Sequence, residues 1–571
     1  MRKKTRFLAA ALAAAMVFSM AACGGGDDSK GTQAPASDNK ETQAATQGGS
    51  SDNDKSDANT PSGGGNKTVT IAMTSPWASW NPYVDSGNYS DIIADQLYER
   101  LWVANKDGTV EPRLAESYEV AEDHTHMIVH LDKNAKFHDG EPVTADDVIF
   151  SVQLDANPEF NSVKRDQLQY VAGTTTGGLA ENGVENVGFE KIDDYTVKIT
   201  FKEAMNELPI LTMMNRYVYI VPEHIYSKYS IAELNESETW KNNMVGCGPF
   251  KFDTAIDGDR VELVRYEDYH LGTPDIERLI IRVVEPSQFL SGLMTGEIDM
   301  IAGAGIGSLS LADWPTAQAE ESLETVSTTN FAYQTMIINM TSEKIPNAKC
   351  RNAINMAINR QSIVDNLLLG EGTVLYAPFS DDHPFVDTSK LTMPEYNPEA
   401  AKKQLEENGF DFSQTLELIV PTGNEVRIQS TVLIQQDLEA IGVKTNITQY
   451  DFPTLMDMMK KGQYDLGMCG SAGAIEPTEA SGWINNEGTT NFPCVQDDTF
   501  ISLYNKAKYI LDLDEQKEAY VEVWQKLLDE SPICYLYSSN HLLAYNKRLS
   551  NLDPNKFPQV NWATWEWKVA D

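Results

Sequence analysis

The sequence predicts an α/β protein whose folded body divides into two lobes, and three observations carry that prediction. The 571 residues are 41% hydrophobic, 9% aromatic and 23% charged, the balance of a globular chain that buries a core. Single cores stop growing near roughly 250 to 300 residues, so a body of this size splits into at least two units. Between Leu416 and Met468, strand and helix patterns alternate at short loop lengths, the order of a parallel sheet covered by helices on both faces. No internal repeat is visible.

From the N-terminus, Met1 to Arg6 is basic and Phe7 to Met20 is an Ala-rich apolar run of about 14 residues, too short to span roughly 30 Å of hydrocarbon. Residues 1–22 therefore read as an export signal. Its close, Met20-Ala21-Ala22-Cys23, resembles the bacterial lipobox, with Met where Leu is usual. That resemblance makes Cys23 the lipidated (palmitate-bearing) residue; an ordinary signal peptide with a chance Cys is the alternative. Residues 23–66 form a linker: from Gly24 to Asn66 no aromatic or aliphatic side chain larger than Ala occurs, so it cannot pack. As a flexible coil it spans on the order of 35 to 40 Å, a tether from the membrane. No later run is apolar enough to span a membrane.

The formal charge is −39, and −43 once Arg2, Lys3, Lys4 and Arg6 are set aside. So acidic a body repels phosphate backbones and anionic lipid headgroups, which removes the electrostatic term for nucleic-acid binding and for attachment through a basic face. Cys247, Cys350, Cys469, Cys494 and Cys534 are odd in number and form no C-x-x-C, the pattern of free or buried thiols rather than a disulfide framework or zinc ribbon.

Within the body, Val69 to Met73 reads as a strand, followed by a loop with Trp77, Trp80, Pro76 and Pro82. Ser90 is positioned to cap a helix whose Ile93, Leu97 and Leu101 share a face. Thr144-Ala145-Asp146-Asp147 is a variant capping box. Phe250 to Asp253 and Arg260 to Val264 flank Asp257-Gly258, a hairpin signal. Asn397-Pro398-Glu399 to Gly409 has an N-cap, a Pro at the first helical position and a Gly stop. Leu416 to Val420 then leads into a helix from Glu425 to Ile441, a strand from Val443, a short helix after Pro453 and a strand from Tyr464 to Met468.

Several stretches, in order, resemble extracellular solute-binding proteins of family 5, the peptide/nickel class that serves ABC importers. They are Gln96-Leu97-Tyr98-Glu99; Pro112-Arg113-Leu114-Ala115-Glu116-Ser117-Tyr118; Lys136-Phe137-His138-Asp139-Gly140-Glu141-Pro142-Val143-Thr144-Ala145-Asp146-Asp147-Val148; Gly246-Cys247-Gly248-Pro249-Phe250; Arg351 to Arg360; and Tyr396-Asn397-Pro398-Glu399-Ala400-Ala401. The resemblance covers residues 67 to 571. It implies a two-lobed periplasmic-binding-protein-like fold of type II, in the large class C form with an extra subdomain. Residues 67–328 would form lobe I including that subdomain, 329–536 lobe II, and 537–571 the return to lobe I, with hinge strands near Thr328 to Phe331 and Tyr535 to Ser539. Ligands of parallel α/β sheets lie beyond the carboxyl ends of the strands, here the Pro76-Trp77 loop and the Gly470-Ser471 loop.

Candidate ligand contacts follow from those two ends. Ser75, Trp77 and Trp80 belong to the first, where an aromatic wall stacks on a ligand or simply packs in the core. Gly470, Ser471, Glu476 and Trp483 belong to the second. Peptide-binding relatives carry a Trp where Ser471 stands and an amine-pairing Asp where Ala474 stands. A buried ammonium without that counter-ion would forfeit several kcal/mol, so the usual amine anchor is missing, with Glu476 as a shifted substitute or a structural turn. Asn424 and Arg427 sit at a strand-to-helix junction, where amides and a cation can meet a carboxylate or other polar group. His124, His126 and His130 are expected to be solvated on a hairpin strand, with metal binding as the alternative. Trp562, Trp565 and Trp567 are expected to pack under lobe I, the last two at strand spacing.

No G-x-S-x-G, H-E-x-x-H or P-loop pattern occurs, and no S-x-x-K in the body from residue 67 on, so no hydrolase chemistry has residues to carry it. The expectation is a monomeric lipoprotein that delivers a peptide-like or small polar solute to ABC permease subunits, with no catalytic residue, resident metal or cofactor. A signalling receptor without transport and a nickel or metal-chelate binder are the alternatives.

Overall fold

The stretch from Thr415 to Ser471 shows most directly how sequence pattern becomes architecture. In the computed structural model the described residues are 67–570 apart from 85–87, 106, 215–217, 304–305, 330–331, 379–384, 472–481, 487–489, 554–555 and 557–559; the export signal, Cys23, the linker, Ala474 and Glu476 lie outside them. The strand Thr415–Pro421 turns Leu416, Leu418 and Val420 to one face, where they pack on Ile434 and Leu438 of the helix Glu425–Ala440. Ile419 points the other way, onto Leu455 and Met459 of the helix Phe452–Lys460. Alternation along one strand thus demands a helix on each face.

The strands Thr415–Pro421, Lys444–Tyr450 and Leu466–Ser471 pair in parallel, Thr415–Pro421 at the centre. The expected parallel order holds for these three, within a sheet whose other pairings are antiparallel. Tyr333–Ile338 pairs antiparallel with Leu466–Ser471 and with Ile533–Ser539, and Gly372–Val374 closes that edge, making a mixed six-stranded sheet. The antiparallel half arises from strands distant in the chain, which local patterning does not register.

A seven-stranded sheet has the order Leu323–Thr328, His541–Asn546, Met300–Ile301, Thr68–Met73, Arg278–Val283, Arg260–Arg265, Phe250–Ile256. The last two form the expected hairpin with longer arms, joined through Asp257-Gly258-Asp259 with Gly258 at φ +80°, a left-handed conformation that glycine adopts without penalty. A four-stranded antiparallel sheet, Ala115–Val120, His126–Leu131, Thr196–Thr200 and Phe189–Asp193, has its own core of Met127, Val129, Val197 and Ile199 under the helix Ala145–Asp155. Asp147 caps that helix by accepting from the Thr144 amide and hydroxyl at 2.8 and 2.9 Å. His126 and His130 lie on the half-buried face of this sheet, opposite Met127 and Val129.

The chain passes from the seven-stranded to the six-stranded sheet between the strands Leu323–Thr328 and Tyr333–Ile338. It returns at Asn540, between Ile533–Ser539 and His541–Asn546.

Three local expectations need correction. The helix expected from Ser90 runs Asn88–Leu97; the Ser90 hydroxyl accepts instead from the amides of Ala78 and Ser79 at 3.3 and 3.4 Å, and Leu101 lies beyond the helix end. Trp565 belongs to a 3-10 segment, Val560–Glu566, rather than a strand, because its ring is drawn onto the Arg113 guanidinium at 4.2 Å. Trp562 is likewise fixed inward, its indole donating to Asp95 at 2.6 Å. The G-x-G turn at 246–248 owes its glycines to packing: a Cβ on Gly246 would stand 1.8 Å from the Leu97 carbonyl oxygen. The five cysteines are all free, Cys494 alone half-buried and the others buried.

Candidate functional site

Strand direction decides which ends of the two large sheets meet. Leu323–Thr328 ends where the chain crosses, and Thr68–Met73 runs the same way across the intervening strands, so the Thr74-Ser75 turn emerges at the crossing end. In the other sheet Tyr333 begins just after the crossing and pairs with Ser471. The carboxyl end of Leu466–Ser471, and with it that of its parallel neighbour Thr415–Pro421, therefore lies at the crossing end too.

On the first side, the Thr74 amide donates to Ile306 O at 2.8 Å, and the Thr74 hydroxyl meets the Tyr89 hydroxyl at 2.6 Å. Ser75 is half-buried beside it. The Trp77 and Trp80 rings meet edge to face at 4.9 Å, but the pair is embedded in the body of its own lobe. Trp77 is 9% exposed, Trp80 packs edge to face on Phe252 at 5.7 Å, and the Trp80 amide donates to the Ser237 hydroxyl at 2.9 Å.

On the second side, Asn424 caps the helix Glu425–Ala440, its Oδ1 accepting from the Arg427 amide at 2.9 Å. That cap fixes the first turn, and the Arg427 side chain lies over the sheet end, Nε donating to Gln334 Oε1 at 2.7 Å. The guanidinium fits because position 470 is glycine: a Cβ there would stand 2.8 Å from Arg427 Nη2, 2.8 Å from Tyr333 O and 2.9 Å from Gln334 Nε2. Burial pulls the Arg427 pKa below its ordinary value, and among the described residues no carboxylate forms an ion pair with it. Trp483 stands behind this patch, edge to face with Tyr333 at 6.2 Å and with Phe492 at 6.0 Å.

The structure thus brings Arg427, Gly470 and Ser471 together, with Trp483 as backing through Tyr333. It gathers Ser75, Trp77 and Trp80 separately, and leaves the Asn424 side chain to its cap. Tyr333 and Gln334 are the participants that sequence reasoning missed. The one signal for them was their position directly after the expected hinge strand.

Residues 109–492 match the model of the bacterial extracellular solute-binding proteins, family 5 Middle. The chain belongs to that family. Among its relatives, the oligopeptide-binding protein AppA of Bacillus subtilis is 25% identical over 493 residues, covering 82% of this chain and 86% of AppA. Heme-binding protein A of Haemophilus influenzae is 26% identical over 490 residues, again covering 82% and 86%. Among solved structures, the ABC transporter substrate-binding protein CtaP of Listeria monocytogenes superposes with a TM-score of 0.76 at 20% identity, covering 88% of this chain and 99% of CtaP. AppA in complex with a nonapeptide superposes at 0.68 and 23% identity, covering 88% and 99%. The architecture is therefore the two-lobed α/β fold of family 5 binding proteins, a family of solute-binding transport proteins.

Among the described residues, contacts between the lobes of this family 5 protein concentrate at two places. At the crossings, the Trp314 indole donates to Glu371 Oε1 at 2.8 Å, the Ser327 hydroxyl donates to the other Glu371 oxygen, and the Asn540 amide donates to Glu371 O at 3.1 Å. Further away, Asn206 Nδ2 donates to Gln516 Oε1 and to Ile510 O, each at 3.0 Å.

Proposed function

We propose that this chain is the solute-capturing component of an ABC importer, anchored by a lipid on Cys23 to the outer face of the bacterial cell membrane and working as a monomer. It takes a peptide-like or other small polar solute between its lobes and passes it intact to the transmembrane permease, with no covalent step and no cofactor. Contacts are assigned to Arg427, Gly470 and Ser471 on one lobe and Ser75 on the other.

The observation that carries this reading is the double crossing, between Thr328 and Tyr333 and at Asn540. Two short connections side by side leave rotation about their line as the easiest large motion, the geometry of hinge closure. A solute touching strand ends on both sides favours the closed arrangement by its differential affinity alone. Oligopeptide binding by the relative AppA supports the peptide-like class, and the polar stretch 23–66 is long enough to let the body reorient on its anchor.

The test begins with native mass spectrometry of the full chain to identify the solute that co-purifies. Returning that solute to stripped protein should reduce the radius of gyration in X-ray scattering; tight binding with no compaction refutes closure. Mass spectrometry of membrane-purified protein should find diacylglycerol and a fatty acyl chain on Cys23, and an unmodified Cys23 ends the anchoring part.

A further inference from the structure

We infer that Asn206 is a latch for lobe closure: it plugs a socket in the opposite lobe and biases the lobes toward staying together, with none of its own polar atoms left for a solute. The inference rests on the reading above, since a latch has meaning only if the lobes move.

The socket is built by two helices of the six-stranded lobe. Gln516, on the helix Leu513–Glu530, donates from Nε2 to Ala507 O at 3.3 Å and to Lys508 O at 3.0 Å. It thereby satisfies carbonyls at the end of the helix Thr499–Lys508, which have no partner within that helix. This orientation turns Gln516 Oε1 toward the other lobe, beside Ile510 O. Asn206 Nδ2 donates to both, each at 3.0 Å, while Asn206 Oδ1 accepts from the Leu208 amide at 3.2 Å. The contact is dry, with Asn206 5% exposed and Gln516 0%. Beside it, Ala104 is buried in the core that Phe500, Tyr520 and Trp524 help to form, and Leu208 packs against the same core.

The chemistry suits a contact that opens and closes rather than a weld. Both hydrogen bonds join neutral groups, each worth a factor of about two to ten in an equilibrium, and each group meets water when the lobes part. Like charges stand on the two sides of the same seam. The Lys202 backbone amide donates to Tyr170 O at 3.0 Å and its ammonium to Thr175 O at 2.8 Å, while the Lys508 ammonium of the other lobe lies 4.3 Å from the Tyr170 ring. Burial and the Lys508 ammonium hold the Lys202 pKa below its ordinary value, against the pull of Glu181. A few neutral bonds set against a like-charge pair leave the joined and parted arrangements close in free energy. In that condition a modest differential contact shifts the population.

The test compares the full chain as purified with the same chain stripped by unfolding and refolding. N206D keeps the shape of the side chain but sets a carboxylate against Gln516 Oε1 and Ile510 O; turning Gln516 over to meet it would strip the carbonyls of Ala507 and Lys508. Stripped N206D should show a larger radius of gyration in X-ray scattering than the stripped parent, and N206A a smaller shift the same way. In an L208C background, with the parent's own thiols as the blank, maleimide labelling of the stripped protein below its unfolding transition should quicken at least about tenfold with N206D and about threefold with N206A. A merely structural Asn206 would lower the melting temperature and leave both readings unmoved, which overturns the inference. If N206D does not fold, N206A decides by the same two readings. A parent that expands on stripping while N206D matches it in size removes the latch and keeps solute-driven closure. A larger N206D beside a parent whose size does not depend on stripping keeps the latch and removes solute-driven closure.

Discussion

The Trp314 indole donates to Glu371 Oε1 at 2.8 Å, joining a helix of the seven-stranded lobe to the segment that leads into the edge strand of the other. The Ser327 hydroxyl has its proton engaged with the same carboxylate, so it accepts from Asn540 Nδ2 at 2.9 Å. One carboxylate thereby ties both crossings, and its removal should loosen the pivot. E371A is expected to lower stability by about 1 to 3 kcal/mol, the scale of a lost charged acceptor, and to broaden the scattering-derived size distribution of the solute-free protein; W314F should do the same more weakly. An unchanged distribution in both variants would show that the knot does not restrain the lobes.

Gly470 and Arg427 cannot both keep their places if a methyl group is added. G470A is expected to push the guanidinium off the sheet end, weakening binding of the co-purified solute at least about tenfold, with a stability loss of about 1 to 3 kcal/mol from overpacking against Tyr333 O. Calorimetric titration beside urea unfolding separates the two effects. Undiminished affinity in a folded G470A would remove Gly470 from the site.

Trp80 separates a ligand wall from a core wedge. Its ring is held by Trp77 and Phe252, with the Lys241 ammonium 5.7 Å from its centroid. W80A should therefore cost about 2 to 3 kcal/mol in urea unfolding while changing solute affinity less than about twofold. A variant of normal stability that binds poorly would return Trp80 to the site.

These cases also mark what the sequence made legible. The helix Pro398–Glu407 was readable because Asn397, Pro398 and Gly409 all act within a few residues of its ends, and Asn397 Oδ1 does accept from the Ala400 amide at 2.9 Å. The parallel strands were readable because their helices follow at short range. Gln334 was not, since its role exists only once it lies opposite Gly470 across two antiparallel strands. The loop around Trp77 and Trp80 has the same local pattern whether it walls a ligand or packs a core, and the choice was made by Ser237 and Phe252, far along the chain.

His138 should make the protein sensitive to mild acid. Nδ1 accepts from the Gly246 amide at 3.1 Å, so Nε2 carries the proton and donates to Gly248 O at 3.1 Å. Burial, aided by the Lys251 ammonium, pushes its pKa down from 6.5 to about 4. Above pH 6.5 the imidazole is neutral folded or unfolded and its bonds contribute fully. As pH falls from 6.5 toward 4 only the unfolded chain takes up the proton, so stability is lost across that window, on the order of 2 kcal/mol. In urea unfolding at stepped pH, H138N should be less stable than the parent at pH 7.5, and the difference should shrink toward pH 4. A constant difference would mean that His138 does not titrate with unfolding.

Asp155 should act in the opposite sense. Burial lifts its carboxyl to about 7, although the Ser162 hydroxyl donates to one oxygen; the other oxygen, Oδ2, is enclosed without a partner among the described residues. Between pH 3.8 and 7 the unfolded chain has released this proton while the folded protein retains it, so stability falls as pH rises through that window and stays reduced above it, by an amount on the order of 3 kcal/mol. An amide presents the same shape with no charge to desolvate. D155N should therefore be more stable than the parent at pH 8, with an advantage that fades toward pH 4, the reverse of the His138 profile. Because the two windows overlap, each variant must be compared with the parent at the same pH. A D155N protein less stable than the parent at pH 8 would mean that the carboxylate is held ionised and favourably bound within the fold.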